Sequence, residues 1–206
     1  IHHLIRDHAL LASMAWITLL EALLGLFAAL IFGILLGAGL VLFRPVNYLC
    51  LPMVILSQAI PTLAVAPLFV LWFGLSLNAK VLLVLFALFF PISLSLYEGV
   101  RQMPQVWRDQ AKLMQATRFR RFWYLELRFA LPSLASGIRM ATAWAPVSAV
   151  ASEWVGSSRG LGFLMINATS ELNTDLVFEA ILVLALMAWL LYHVVDRCLS
   201  RWFFWG

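Results

Sequence analysis

Charge is scarce in this chain. Only 12% of its 206 residues are Asp, Glu, Lys or Arg, while 64% are hydrophobic; soluble domains carry about 25% charged residues. That shortage excludes a water-soluble globular domain and points to an integral membrane protein. Cysteine is scarcer still. Cys50 and Cys198 stand far apart in no metal-like or redox-like spacing, which excludes a disulfide scaffold and leaves two thiols expected to be reduced. No Gly-x-x-x-x-Gly-Lys-Ser/Thr loop occurs, so the chain encodes no phosphate cradle of that type. Acidic residues are too scattered for a catalytic triad or a membrane-embedded enzyme. His2, His3 and His8 cluster near the start without carboxylates at helical spacing, and no metal is expected there. The net charge of +4 does not imply a nucleic-acid partner, because the cations gather where a membrane protein carries its cytoplasmic charge.

What is present in quantity is apolar sequence. About 20 apolar residues cross a bilayer core. Five stretches qualify: roughly Leu11 to Phe43, Leu49 to Phe73, Val81 to Tyr97, Pro132 to Trp154 and Leu176 to Val195. Helices are expected throughout, since open strands cannot satisfy their backbone in lipid. The first stretch exceeds what a bilayer needs, so part of it is expected to tilt or lie in the interface. The expected fold class is an all-α polytopic membrane helix bundle of five spans. Seven of the fourteen Lys and Arg residues (Arg101, Arg108, Lys112, Arg118, Arg120, Arg121 and Arg128) fall between the third and fourth spans. By the positive-inside rule that segment is cytoplasmic, with the N-terminus out and the C-terminus in. The chain opens on Ile, and a further upstream span would fit the same topology. Trp72 and Phe73 close the second span on the outer side, and the Trp202–Trp205 aromatics follow the last one at the inner headgroup level.

The basic segment is the least lipid-like part of the chain. From Arg118 to Ala130 it has no Gly or Pro, and Thr117 is placed to cap a helix start. Wound as a helix, Phe119, Phe122, Trp123, Leu127, Phe129 and Ala130 fall on one arc, with Arg120, Arg121, Tyr124 and Arg128 opposite. Glu126 projects from the apolar arc with no evident partner. Gln110 to Ala116 reads as a second short helix, with Ala111 and Met114 as its apolar contacts. Pro132 suits the first turn of the fourth span. By composition alone the segment suits an anionic lipid surface as well as a docking helix for a cytoplasmic protein.

Residues 109 to 132 resemble the cytoplasmic signature of ABC importer permeases. That pattern is Glu-Ala-Ala, a Gly four residues after the second Ala, and Leu-Pro at the mouth of the next span. Here Asp109 stands for the Glu, Gln110 for the first Ala, Ala111 matches the second, Gln115 stands for the Gly, and Leu131 and Pro132 match the end. "QAIPTLAVAPLFVLWFGLSLNAK", "FFPISLSLYEGVRQMP" and "GIRMATAWAPVSAVASEWVGSSRGLGFLMINA" resemble core spans of the taurine, sulfonate and thiamine-precursor branch. "APVSAVASEWVG" and "NTDLVFEAILVLALMA" look closest to hydroxymethylpyrimidine-type permeases.

The resemblance implies a single permease domain over 1–206, with coupling helices at about 101–131, in a bacterial inner membrane. It implies a second permease subunit as a homodimer, cytoplasmic ABC ATPase subunits and a periplasmic substrate-binding protein. The chain itself would be no enzyme and hold no cofactor, with ATP and Mg on the ATPase. The ATPase-coupling residues would be Asp109, Gln110, Ala111, Lys112, Gln115, Arg118, Arg120, Arg121, Leu131 and Pro132. Because Gln is costly at positive φ, the turn at Gln115 is expected to be helical or tighter than the family's.

Candidate pathway residues are Gln58 and Pro61 in the second span, where Pro61 and Pro67 break helical hydrogen bonding, and Glu153 and Trp154 at the outer end of the fourth. A bend is also expected at Pro146. Glu21 and Arg139 are ionisable groups inside spans, read as structural pairs. Gly33-x-x-x-Gly37 is read as a packing face. "LGFLMINA" is either an external loop helix or one dipping toward an outer gate. A stand-alone carrier or channel is the competing class, but no internal repeat with matched broken helices is evident.

Overall fold

The computed structural model describes the backbone of residues 2–202 and the side chains of residues 10–201. The histidine cluster at His2, His3 and His8 and the aromatic cluster after Arg201 therefore lie outside the described side chains. Every element among the described residues is helical. In chain order they are α1 (His2–Leu42), α2 (Arg44–Ser57), α3 (Thr62–Phe73), α4 (Leu77–Arg101), α5 (Gln105–Leu113), α6 (Arg118–Arg121), a π-helical turn (Phe122–Glu126), α7 (Leu127–Glu153), α8 (Leu161–Ser170) and α9 (Thr174–Trp202).

The core is a three-helix spine. α4 packs against α1 on one side and α7 on the other. Small residues allow the close approach. A Cβ on Gly25 would stand 2.3 Å from Val84 Cγ1, one on Gly33 would stand 2.9 Å from Ile92, and one on Gly37 would stand 2.9 Å from the Ser93 carbonyl. The Gly33/Gly37 pair is thus a packing face on α1 directed at α4. Across the other seam, a Cβ on Gly99 would meet Ala130, and one on Gly137 would meet Ser95 and the Pro91 carbonyl. Ala22, Ala29, Val84, Leu88, Ile92, Leu96, Ala141, Ala145 and Ala149 fill the interior.

Among the described residues, three helices are long and apolar enough to cross a bilayer: Leu10–Leu42, Leu77–Arg101 and Thr174–Arg201. The count rises to four if α2 and α3 are one broken span. The expected five is therefore not reached on length and apolarity. α7, the expected fourth span, is rich in Ala, Ser and Gly where it packs against α1, α4, α8 and α9. A face packed against protein has no need of lipid-facing leucine, and Met140, Trp144 and Val147 mark the face left exposed.

The second expected span, Leu49 to Phe73, is not one continuous helix. It is two helices that meet at 108°. α2 ends at Ser57 and α3 starts after Pro61, whose φ of −60° and missing N–H suit a helix entry and not its middle. Pro67, within α3, produces no such break. The third span begins earlier than expected, at Leu77, where the Ser76 hydroxyl accepts from the Ala79 N–H as its cap.

The fourth span also differs. Pro132 does not open it: helix runs without interruption from Arg118, through the π turn, to Glu153. α8 is packed into the bundle: Leu161, Gly162, Leu164, Met165 and Ala168 are buried against α1, α7 and α9.

Candidate coupling surface and solute cavity

Two sites stand out on opposite parts of α7. At its N-terminal end the basic segment folds as α5, a tight turn and α6. Thr117 caps α6 by accepting from the Arg120 N–H. α5 spans Gln105–Leu113, not Gln110–Ala116, and its buried contact is Ala111 alone; Met114 is 81% exposed.

The turn contradicts the expectation at Gln115. That residue takes φ +50°, the left-handed conformation that glycine occupies freely. Its N–H bonds to the Lys112 carbonyl at 2.9 Å, and the Ala116 N–H bonds to the Ala111 carbonyl at 3.0 Å. This paired arrangement is a Schellman C-cap. The gain of satisfying two helix-end carbonyls outweighs the strain of a non-glycine residue.

The π turn redirects the amphipathic pattern. Phe122, Glu126 and Ala130 are buried in sequence, while Phe119, Trp123 and Phe129 are exposed, so the expected apolar arc is split. Glu126 finds its partner in Arg121, whose Nε lies 2.7 Å from Glu126 Oε1. Arg118, an exposed residue, reaches back to α1, donating from Nη1 at 2.7 Å to the carbonyl of Leu42, the last residue of that helix. Arg108 Nη2 donates to the carbonyls of Val100 (3.1 Å) and Arg101 (3.0 Å) at the end of α4. Guanidinium groups at helix C-termini satisfy orphan carbonyls and match the dipole. Thus α5 and α6 are fastened to the ends of α1 and α4.

What remains outward is a mixed surface. Leu113, Met114, Phe119, Trp123 and Tyr124 are exposed beside Lys112, Gln115 and Arg120. Asp109 and Gln110 are exposed too, with Asp109 Oδ1 2.9 Å from Lys112 Nζ. That hydrogen bond holds the Asp109 carboxyl below the ordinary aspartate range. Leu131 and Pro132 lie about two helical turns above the π turn, away from this surface.

The second site is a cavity of about 360 Å³ between the α2–α3 elbow, α4 and α7. Gln58 and Pro61, both expected on the pathway, line it. So do Phe86, Met140, Trp144 and Ser148, which the sequence reading did not single out. A signal was there: Met140, Trp144 and Ser148 recur at four-residue spacing, so they share one face of a helix whose other faces carry small residues.

Glu153 and Trp154 do not line this cavity. Glu153 is 1% exposed and closes a polar knot at the far end of α7. Its Oε1 accepts from Thr18 Oγ1 at 2.6 Å, and its Oε2 accepts from the Gly162 N–H at 2.5 Å in the first turn of α8. Thr18 Oγ1 also accepts from the Leu161 N–H at 2.9 Å. Gly160 has φ +113°, and a Cβ there would fall 2.2 Å from the Glu153 carboxyl, so glycine is required twice over. Beside this knot Lys80 Nζ bonds Glu21 Oε1 and Ser157 Oγ, each at 2.7 Å. Arg139 Nε pairs with Asp196 Oδ1 at 2.6 Å. Both intramembrane ionisable groups, Glu21 and Arg139, thus hold structural partners. Trp154 is half-exposed at the end of α7.

A buried helical spine with a basic, aromatic surface fastened to one end and an uncharged cavity along its flank defines a polytopic membrane permease. The chain belongs to the family of binding-protein-dependent transport system inner membrane components, whose model matches residues 29–201. It is 41% identical to a probable ABC transporter permease protein of Haemophilus influenzae, over 95% of this chain and 81% of that protein. It is 35% identical to the taurine transport system permease protein TauC of Escherichia coli, over 90% and 68%. With the formylaminopyrimidine transport permease protein ThiX of Halalkalibacterium halodurans the identity is 32%, over 84% and 70%. The fold matches the MetNI methionine ABC transporter in an inward-facing form, with TM-score 0.80, 19% identity and coverage of 93% and 95%. The chain is an ABC importer permease subunit and not an enzyme; ATP hydrolysis belongs to a separate subunit.

Proposed function

We propose that this permease carries a small polar solute of the thiamine-precursor pyrimidine class from a periplasmic binding protein into the cytoplasm, across a bacterial inner membrane. The basic segment faces the cytoplasm, with the N-terminus outside and the C-terminus inside. Two copies form the translocation unit, and each docks one ABC ATPase subunit, which holds the ATP and Mg. The similarity to the formylaminopyrimidine permease ThiX supports the solute class. The higher identity to TauC supports a second reading, in which the solute is taurine or another small sulfonate.

The observation that carries the coupling role is the fastening of α5 and α6. Arg118 holds the end of α1 and Arg108 the end of α4, while α6 continues into α7. A displacement applied at the exposed Leu113, Met114 and Arg120 surface therefore reaches all three spine helices at once. α7, 27 residues long, then transmits it over roughly 40 Å, at about 1.5 Å per residue, to the knot that holds α8. In this reading ATPase closure pulls the surface, α7 moves, and the outer end of the cavity opens or closes.

Co-expression with an ABC ATPase tests the proposal. The two chains are expected to co-purify, and Leu113→Asp with Arg120→Glu to abolish co-purification without lowering the melting temperature. Arg121 is unsuited to this test, because its charge stabilises buried Glu126. Persistent co-purification of the double variant, or ATP-independent transport by the chain alone, would refute the docking surface.

A further inference from the structure

The walls of the cavity carry no charge. No Asp, Glu, Lys, Arg or His occurs at 45–79, 81–97 or 140–152, the stretches that supply the lining of α2, α3, α4 and α7. Charged groups that flank these stretches are committed elsewhere: Arg139 to Asp196 of α9, Lys80 to Glu21 and Ser157, and Glu153 to Thr18 and Gly162. An ion held in such a place lacks the partner that offsets its desolvation.

The lining is instead aromatic, thioether and amide. Trp144 is 56% exposed and Met140 55%, with Phe86 across from them on α4. Gln58 and Thr62 sit at the elbow, and among the described residues neither makes a side-chain hydrogen bond. The Ser148 hydroxyl donates to the Trp144 carbonyl and keeps its lone pairs. The cavity's volume lies at the small end of ligand sites, which run from about 300 to 1,000 Å³.

We infer that this cavity is a solute subsite for an uncharged flat ring, stacked on Trp144 and read by the Gln58 amide. The inference rests on the importer reading above and narrows its solute: a neutral aminopyrimidine fits the walls, whereas a sulfonate or nitrate anion does not. Trp144 supplies a face that ring compounds stack on. Gln58 supplies two donors and one acceptor, the complement of an amino group beside a ring nitrogen. Thr62 and Ser148 add hydroxyls at the same rim.

Uptake by the complete importer in proteoliposomes tests this. The probes are radiolabelled hydroxymethyl-aminopyrimidine, taurine and nitrate. The wild-type importer is expected to move the aminopyrimidine at least about tenfold faster than either of the others. Trp144→Ala should cut that uptake about tenfold, and Trp144→Phe should restore it to within about threefold. Gln58→Leu should raise the half-saturating concentration about tenfold with little change in maximal rate. ATPase co-purification and binding-protein-stimulated ATP hydrolysis should stay at the wild-type level in all three variants. Taurine or nitrate uptake at least equal to that of the aminopyrimidine overturns the inference and leaves the importer reading intact. So does uptake by Trp144→Ala within about twofold of wild type. If no ATPase associates with the wild-type chain and nothing is imported, both readings fall.

Discussion

Thr18 Oγ1 donates a 2.6 Å hydrogen bond to Glu153 Oε1, joining residues 135 positions apart. The bond ties the N-terminal half of α1 to the last residue of α7. Since Glu153 also accepts from the Gly162 N–H, the first turn of α8 is held to the same point. The helical run that includes α7 is therefore tied at both ends: through Arg118 of α6 to the Leu42 carbonyl of α1, and through Glu153 at the knot. A helix fixed in this way moves its two ends together.

Replacing Thr18 by Val keeps the volume and removes the hydroxyl. Glu153 loses one donor and the Leu161 N–H loses its acceptor, in a buried setting. The expected loss is about 1–3 kcal/mol. Thermal unfolding of the detergent-solubilised chain should show a lowered midpoint for Thr18→Val, and a near wild-type midpoint for Thr18→Ser.

Lys80 and Glu21 form an ion pair whose side chains are 17% and 3% exposed. Glu21 Oε2 has no partner among the described residues. Removal of the cation alone leaves an uncompensated buried carboxylate, which costs about 3–5 kcal/mol. Lys80→Met should thus be severely destabilising. The double variant Lys80→Met with Glu21→Gln should recover most of the loss, and equal instability of single and double variants would exclude the pairing as the cause.

Gln115 sits at φ +50° in the turn between α5 and α6. A left-handed conformation costs a non-glycine residue about 1–2 kcal/mol, while glycine costs about 0.5–1 kcal/mol in backbone entropy. Gln115→Gly should therefore stabilise the chain by about 0.5–1 kcal/mol, and Gln115→Val should destabilise it. Melting midpoints in matched detergent check both signs.

Arg118 links the α5–α6 segment to the Leu42 carbonyl. Arg118→Ala should leave ATPase association and basal ATP hydrolysis unchanged, because the contact is made to α1. The solute imported per ATP hydrolysed in proteoliposomes should fall several-fold. An unchanged ratio would mean that α1 is not driven through this contact.

The helical class and the existence of a basic segment outside the apolar stretches were legible in the sequence, because both depend on local composition. So was the Thr117 cap, which needs only a hydroxyl at the start of a helix-forming run. The α2–α3 elbow was partly legible: Pro61 signalled a break, but a proline alone does not distinguish a kink from a 108° turn. The Gln115 turn was misread because intrinsic strain was weighed without the two hydrogen bonds that offset it. The amphipathic arc of 118–130 was misread because a π turn shifts the angular register, and no residue type announces such a turn. Glu153 was read as a pathway group because an acid in a span attracts suspicion. Its partners, Thr18 and the Gly162 N–H, are contributed by distant segments that only folding brings together.

By itself the sequence determined that this chain lives in a bilayer, that it is helical, and that its Arg-rich segment falls between apolar stretches. Each of these follows from the transfer cost of side chains and backbone, a property residues carry with them wherever they are placed. Which charges pair, which arginines reach back to α1 and α4, and that Trp144 and Gln58 face one uncharged cavity were decided only by tertiary structure. Those outcomes depend on the crossing of α1, α4 and α7, set by where glycine lets backbones approach, and on a π turn that rotates everything beyond it.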